Sequence, residues 1–436
     1  MHRPTRNLAL TSILTLLATG ATAGTMGPAT EACPDGVLTL TLLRAQNNLP
    51  PDDLIGQWEA GQPCTSIEVT EVPFGQLFDR ISILGSSPNP PDILSYDAPD
   101  TASYASAGVL LPLDPYLPEG FADDMMSATR NENSYQGSIF SPGIEQATLA
   151  LFYNRDRLDA LGITPPTDLD DAWTWPEAIE AMRACQEATD GDVWGLAPSR
   201  FGAGTPGFAY RDLLFLRSAG DPTAPEDSTA YRTFWALSPD GTEVEGWLNT
   251  PEAVEAAAVY QAMFNDDPIT PKAGIPNAFQ DQAACFTIDM QYLAAGLQAE
   301  DPGFAWGVTP LPYFETPVVH TGSLTLGVSA RTQFPDQAAG FVMDMSTGEL
   351  AKAWLEQSGS LPSQLSLVAE LPGLAEPPFD LFAASLERWG QPRPPSAKFV
   401  QYNRIVTEAL RDIAYGADPQ ATLDAAAAGL SPILAE

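Results

Sequence analysis

Val37-Leu38-Thr39-Leu40-Thr41-Leu42-Leu43 alternates apolar side chains with threonine, then gives way to Arg44-Ala45-Gln46-Asn47-Asn48. Period-two alternation reads as a strand, and the polar run after it as a loop. Downstream, Leu54, Ile55 and Trp58 fall at helical spacing between Pro51 and Ala60. Ile67 to Val72 alternates again, Leu77, Phe78, Ile81 and Leu84 mark a second amphipathic helix, and Asp92 to Tyr96 is a third short strand. Strand-helix-strand-helix-strand demands right-handed crossovers and a parallel sheet flanked by helices, an α/β fold. Ligands of open α/β sheets sit beyond the carboxyl ends of the strands. Those ends are Gln46-Asn47 and Tyr96-Asp97, which makes Gln46 and Asp97 candidate ligand-binding residues.

The same topology bears on the four cysteines, Cys33, Cys64, Cys185 and Cys285, which allow three pairings. Cys33 and Cys64 each precede a strand by a few residues. If those strands are neighbours, a Cys33–Cys64 bridge closes a loop of about thirty residues and contributes roughly 3–4 kcal/mol by constraining the unfolded chain. Cys185 shares a helix face with Ile179 and Met182, and by elimination its partner is Cys285, just before the strand-like Phe286-Thr287-Ile288.

Around Gln136 the pattern starts again. Thr148 to Tyr153 is an apolar strand-like run, and Thr174-Trp175-Pro176-Glu177 is a capping box opening a helix. Ala305 to Leu311 and His320 to Ala330 read as strands, the latter bearing glycines; from Asp336 onward the chain is mostly helical. Pro419 opens an Ala-rich helix that Gly429 is expected to stop. No internal repeat or low-complexity block interrupts the order.

At the amino terminus Arg3 and Arg6 precede an apolar run from Leu8 to Leu17 and the small residues Ala21-Thr22-Ala23. This is the pattern of a secretory signal peptide over residues 1–23, and it implies a soluble protein exported to the periplasm, where disulfides persist. The 436 residues carry 56 acidic against 20 basic side chains, a net charge of -36. Such a charge repels nucleic acid and anionic lipid and favours a soluble monomer. Hydrophobic residues at 44% suffice for real cores, and the 41 prolines lie scattered between periodic segments, as turns do. No HExxH, CxxC, GxSxG or glycine-rich phosphate loop occurs. One histidine beyond the export segment, His320, leaves no histidine-rich metal site, and neither a cofactor nor a metal is expected. Paired carboxylates could serve a secreted glycoside hydrolase, but no spacing singles out a pair.

Phe152-Tyr153-Asn154-Arg155-Asp156 continues through Leu161-Gly162-Ile163 and Pro165-Pro166 to Thr174-Trp175-Pro176-Glu177. This order resembles the central signature of the family 1 extracellular solute-binding proteins, the maltose-binding-protein-like group. Tyr135-Gln136-Gly137, Phe286-Thr287-Ile288-Asp289 with Tyr292, Trp306-Gly307-Val308, Gly322 to Ser329 and Ser358-Gly359-Ser360-Leu361-Pro362 agree in the same order along the chain. Asp170-Asp171-Ala172-Trp173 departs from the pattern as a loop insertion.

The resemblance implies a two-lobed fold, each lobe a mostly parallel sheet flanked by helices, joined by hinge crossovers near 140–145 and 310–312. Residues 24–144 and 311–345 would form the first lobe, and 145–310 and 346–436 the second. The implied function is capture of a small polar solute, a mono- or oligosaccharide, for the permease subunits of an ABC importer, without enzymatic activity. A polyol, a phosphorylated polyol or a cationic solute is the alternative. The resemblance places Glu145, Tyr210, Arg211, Tyr292 and Gly322 at or beside the cleft, with a late aromatic at Tyr402 or Trp389; His320 is added as the single mature histidine. Each has a plainer reading: Arg211 pairs with Asp212, His320 is a satisfied core residue, and at least one of Trp389 and Tyr402 is core packing.

Overall fold

The structure, a computed structural model, describes residues 33–34, 36–46, 49–85, 87–197, 209–266, 268–322 and 324–435. The export segment and Asn47 lie outside the described residues. Eight strands carry the architecture: β1 (Leu38–Ala45), β2 (Thr65–Val72), β3 (Ile93–Asp97), β4 (Leu149–Asn154), β5 (Trp194–Leu196), β6 (Ala284–Met290), β7 (Trp306–Thr309) and β8 (Leu324–Val328). They form two sheets, in the orders β8-β3-β1-β2 and β7-β4-β6-β5. In the first, β1 pairs in parallel with β2 and β3, and β8 lies antiparallel to β3. In the second, β4 is antiparallel to both its neighbours while β5 and β6 are parallel. Each sheet therefore has three strands running one way and one reversed.

The reversed strands have a common cause. β4 and β8 are the strands on which the chain enters a half after crossing from the other. A chain arriving at the ligand-facing edge can only run away from it. The register shows this: Asp97, the last residue of β3, lies opposite Leu324, the first of β8, and Met290, the last of β6, lies opposite Leu149, the first of β4.

Each sheet is buried on both faces. On the first, Leu40 and Leu42 pack with Leu54, Trp58 and Phe341 on one side, while Leu43, Leu94 and Tyr96 pack with Leu77 and Ile81 on the other. Burying one such side chain stabilises by about 1.5–3 kcal/mol, which is why alternation and helix spacing were legible there. The second half has one larger core around Phe152, Trp175, Phe215 and Phe286, with the Trp175 and Phe215 rings stacked at 3.7 Å. Cys33–Cys64 and Cys185–Cys285 are both bonded, with Cα separations of 5.4 and 6.3 Å. The first bridge sits where Leu38 donates its N–H to the Cys64 carbonyl as β1 and β2 begin side by side.

Three details differ from expectation. The run from His320 to Ala330 is not one strand. Val319–His320 pairs with Gly390–Gln391, and β8 begins only after Gly322, whose φ of +123° breaks the extended path. The last helix, Pro419–Leu434, continues past Gly429, because Leu430 and Leu434 are buried against the second core. Helix Gly348–Ser358 packs on helices Pro335–Ser346 and Asp52–Gly61 of the first half. A boundary at 345 thus separates two helices that pack together, and the final passage to the second half falls after Ser358. No described helix is long and apolar enough to cross a membrane.

Candidate functional site

The halves meet where the strand ends meet. Ala147 donates its N–H to the Gly322 carbonyl, tying the two crossing segments together. Gln291, just past β6, accepts from the Thr148 N–H and donates to the Gln146 carbonyl.

Glu145 lies in the first crossing and is 2% exposed. Its carboxylate accepts from the Tyr292 hydroxyl at 2.8 Å, from Trp354 Nε1 at 2.7 Å and from the Ser360 hydroxyl. Burial pushes its pKa up, and the three side-chain donors pull it back. Tyr292 comes from the second half and Trp354 from the helix packed on the first, so this one carboxylate ties both halves to the hinge.

A second polar layer lies at the end of β3. Arg393 donates two hydrogen bonds to Asp97, at 2.6 and 2.7 Å, and its guanidinium lies 5.0 Å from the centroid of the Tyr210 ring. Burial disfavours the charge of Arg393, but the Asp97 carboxylate outweighs this and raises its pKa. A planar fork on a carboxylate is the strongest form of such a pair. Glu132 stands beside it, accepting from the Thr321 hydroxyl at 3.0 Å. Burial drives the Glu132 pKa up to about 7, against the pull of Arg393. Asp100, on the turn Ala98–Asp100 after β3, is wholly buried, and neither of its carboxylate oxygens has a hydrogen-bond partner. Desolvation first, and then the Asp97 charge, holds its pKa well above the usual range. The helix Ser127–Glu132 packs on that turn. The Tyr104 hydroxyl, also buried beside these acids, is likewise unpartnered.

A sequence-family model described as bacterial extracellular solute-binding protein matches residues 49–355. The chain belongs to that family. Its solved neighbours are maltose-binding-protein-like, two-lobed proteins. One is the ABC transporter solute-binding protein of Thermotoga lettingae TMO bound with α-D-tagatose, at TM-score 0.78 and 17% identity, covering 91% of this chain and 100% of that one. Among sequence relatives, the multiple sugar-binding protein of Streptococcus mutans serotype c (strain ATCC 700610 / UA159) is 21% identical over 322 residues, 70% of each chain. A binding protein of Brucella abortus (strain 2308) is 22% identical over 267 residues, 58% of this chain and 57% of its own length.

For this solute-binding protein the residues nominated from sequence divide into two groups. Asp97, Glu145, Tyr210, Tyr292, His320 and Gly322 all lie where the halves meet. The Tyr210 hydroxyl reaches the Ala147 carbonyl at 3.0 Å and the His320 carbonyl at 3.3 Å, and His320 Nδ1 lies 2.6 Å from the Tyr210 carbonyl. Burial pushes the His320 pKa far down, so the ring is neutral. Gly322 donates its N–H to Gln146 at 2.9 Å, and a Cβ there would collide with the Arg393 guanidinium. Gln46 is exposed at the end of β1, its N–H given to the Val72 carbonyl.

Two nominations are corrected. Arg211 is 7% exposed and forked onto Asp212, beside a small internal cavity lined by Trp175, Phe215 and Tyr260. Tyr402 is 1% exposed in the second core, its hydroxyl donated to the Ala236 carbonyl at 3.0 Å. Both belong to the interior of one half because their helices turn those faces inward. Sequence reasoning missed Arg393, Glu132 and Asp100. Arg393 had a signal, an arginine between prolines in Gln391-Pro392-Arg393-Pro394-Pro395. Glu132, within Asn131-Glu132-Asn133, had none; it looks like any solvated helix end.

Proposed function

We propose that this chain is the periplasmic receptor of an ABC importer, that it binds a mono- or oligosaccharide between its two halves, and that the halves close on the solute by hinge motion. The observation that carries the reading is that polar side chains at the strand ends of the two halves meet at one seam, with Arg393 forked onto Asp97 and Tyr292 bonded to Glu145 in the first crossing. Carboxylates, hydroxyls and aromatic faces gathered at such a seam are the groups that hold sugar hydroxyls and ring faces. The sugars named for the Thermotoga and Streptococcus proteins point the same way. The crossings at 141–148, 310–322 and 359–364 supply the hinge, the closed monomer is what the permease subunits recognise, and the chain catalyses no reaction.

A thermal-shift screen of mono- and oligosaccharides tests this, with tryptophan fluorescence reporting closure. A true ligand at a hundred times its Kd stabilises by about 2.7 kcal/mol. Absence of any shift across the sugars, or turnover of a glycoside, overturns the reading.

A further inference from the structure

We propose that the second half binds one structural water in its interior, held by Tyr260, Thr270 and Asp212 behind the sheet. The cavity beside the Arg211–Asp212 pair has a volume of about 30 Å³. A water needs roughly 10–15 Å³ of such space, so a water fits and a sugar or polyol does not. Arg211, Asp212, Tyr260 and Thr270 all line the cavity, each at most 7% exposed. Among the described residues neither the Tyr260 hydroxyl nor the Thr270 hydroxyl has a hydrogen-bond partner. Burial, and then the Asp212 charge, pushes the Tyr260 pKa well up, so its hydroxyl keeps its proton and stays a donor.

The balance of donors and acceptors selects water. Asp212 takes Nε of Arg211 at 2.6 Å on one oxygen and Nη2 at 3.0 Å on the other, which leaves each oxygen a further lone pair. A water between them accepts from the two hydroxyls and donates to the carboxylate, so groups from three segments are satisfied at once. A cation finds no net charge to meet, because the Arg211 guanidinium already neutralises Asp212. An anion would face that carboxylate, and an apolar occupant would leave both hydroxyls open. The site has a mechanical consequence. Helix Ala209–Arg217 carries Asp212 into the interior and Tyr210 to the seam, where the Tyr210 hydroxyl reaches the Ala147 and His320 carbonyls. Tyr260 lies on helix Pro251–Asn265, and Thr270 follows Ile269, whose carbonyl accepts from the Leu196 N–H at the end of β5. The water therefore ties the helix that presents Tyr210 to two further elements of the second core.

A crystal structure of the exported full chain at about 1.6 Å tests the site directly. One ordered water is expected within about 3.2 Å of both Tyr260 Oη and Thr270 Oγ1. A dry cavity, or a protein side chain lying in it, overturns the proposal. Thermal melts of Thr270→Val, Tyr260→Phe and the double variant give a second reading, since both changes keep the side-chain shape. If a water bonds the hydroxyls, each single change lowers the melting temperature by about 1–3 °C. The double variant should then lose less than the sum, because both changes release the same water. Removing a hydroxyl that bonds to nothing stabilises instead, so unchanged or raised melting temperatures overturn the proposal.

Discussion

Glu145 and Asp100 are both carboxylates carried into the interior where the two halves meet. Glu145 finds three side-chain donors there, from Tyr292, Trp354 and Ser360, gathered from three separate segments. Asp100 finds none. In the first case the protein meets the cost of burying a charge internally, and the result is a tie between hinge and halves. In the second, burial holds the carboxyl well above the usual range, so the cost is met by keeping the proton. The difference separates a hydrogen-bonded carboxylate from a proton-keeping one, although each is an acid at the end of a strand or the start of a crossing.

The sharpest way to break this comparison is Glu145→Ala. It strands three donors and unties the hinge, and urea unfolding should show a loss of about 3–5 kcal/mol. A loss below about 1 kcal/mol would mean that the halves are held elsewhere. Next in size is the pH dependence of the ligand-free protein. Glu132 has an ordinary value of 4.5 and a folded value of about 7. Between those values the native state keeps a proton that the unfolded chain has released, so stability falls as pH rises through the window, by up to about 3 kcal/mol. Glu132→Gln should flatten that slope, and an unchanged slope would remove Glu132 from the account.

Asp100→Asn should act with the opposite sign to Glu145→Ala. It removes a buried carboxyl that accepts no hydrogen bond and feels Arg393 only at a distance, and should raise stability at pH 8 by about 1–2 kcal/mol, a gain that shrinks as pH falls and Asp100 itself becomes protonated. A destabilised variant would place Asp100 with Glu145 and end the distinction. The smallest effect is Tyr402→Phe. Loss of its hydrogen bond to Ala236 should cost about 1 kcal/mol and leave solute affinity unchanged. A fall in affinity would return Tyr402 to the cleft.

Much of this was legible in the chain and some was not. The alternation at Val37 to Leu43 announced β1, the capping box at Thr174 announced a helix that the Glu177 carboxylate does cap, at 2.8 Å from the Thr174 N–H, and the tyrosine-asparagine segment announced the family. Asp97, Glu145 and Tyr292 were nominated and lie where the halves meet. Arg211 and Tyr402 were misplaced because a polar or aromatic residue on a helix shows its periodicity but not which side its helix turns to the core.

By itself the sequence indicated most of the strands and the family and favoured the Cys33–Cys64 pairing, since these depend on side chains close together in the chain or on strands that neighbour one another; the structure decided the pairing of Cys185 with Cys285. Tertiary structure alone decided the reversed strand in each sheet and the charge pattern between the halves. Asp97 meets Arg393 across 296 residues of chain, and Glu145 meets Trp354 across 209. Whether a buried carboxylate is paired or left open depends on partners at that range, and no local spacing encodes them.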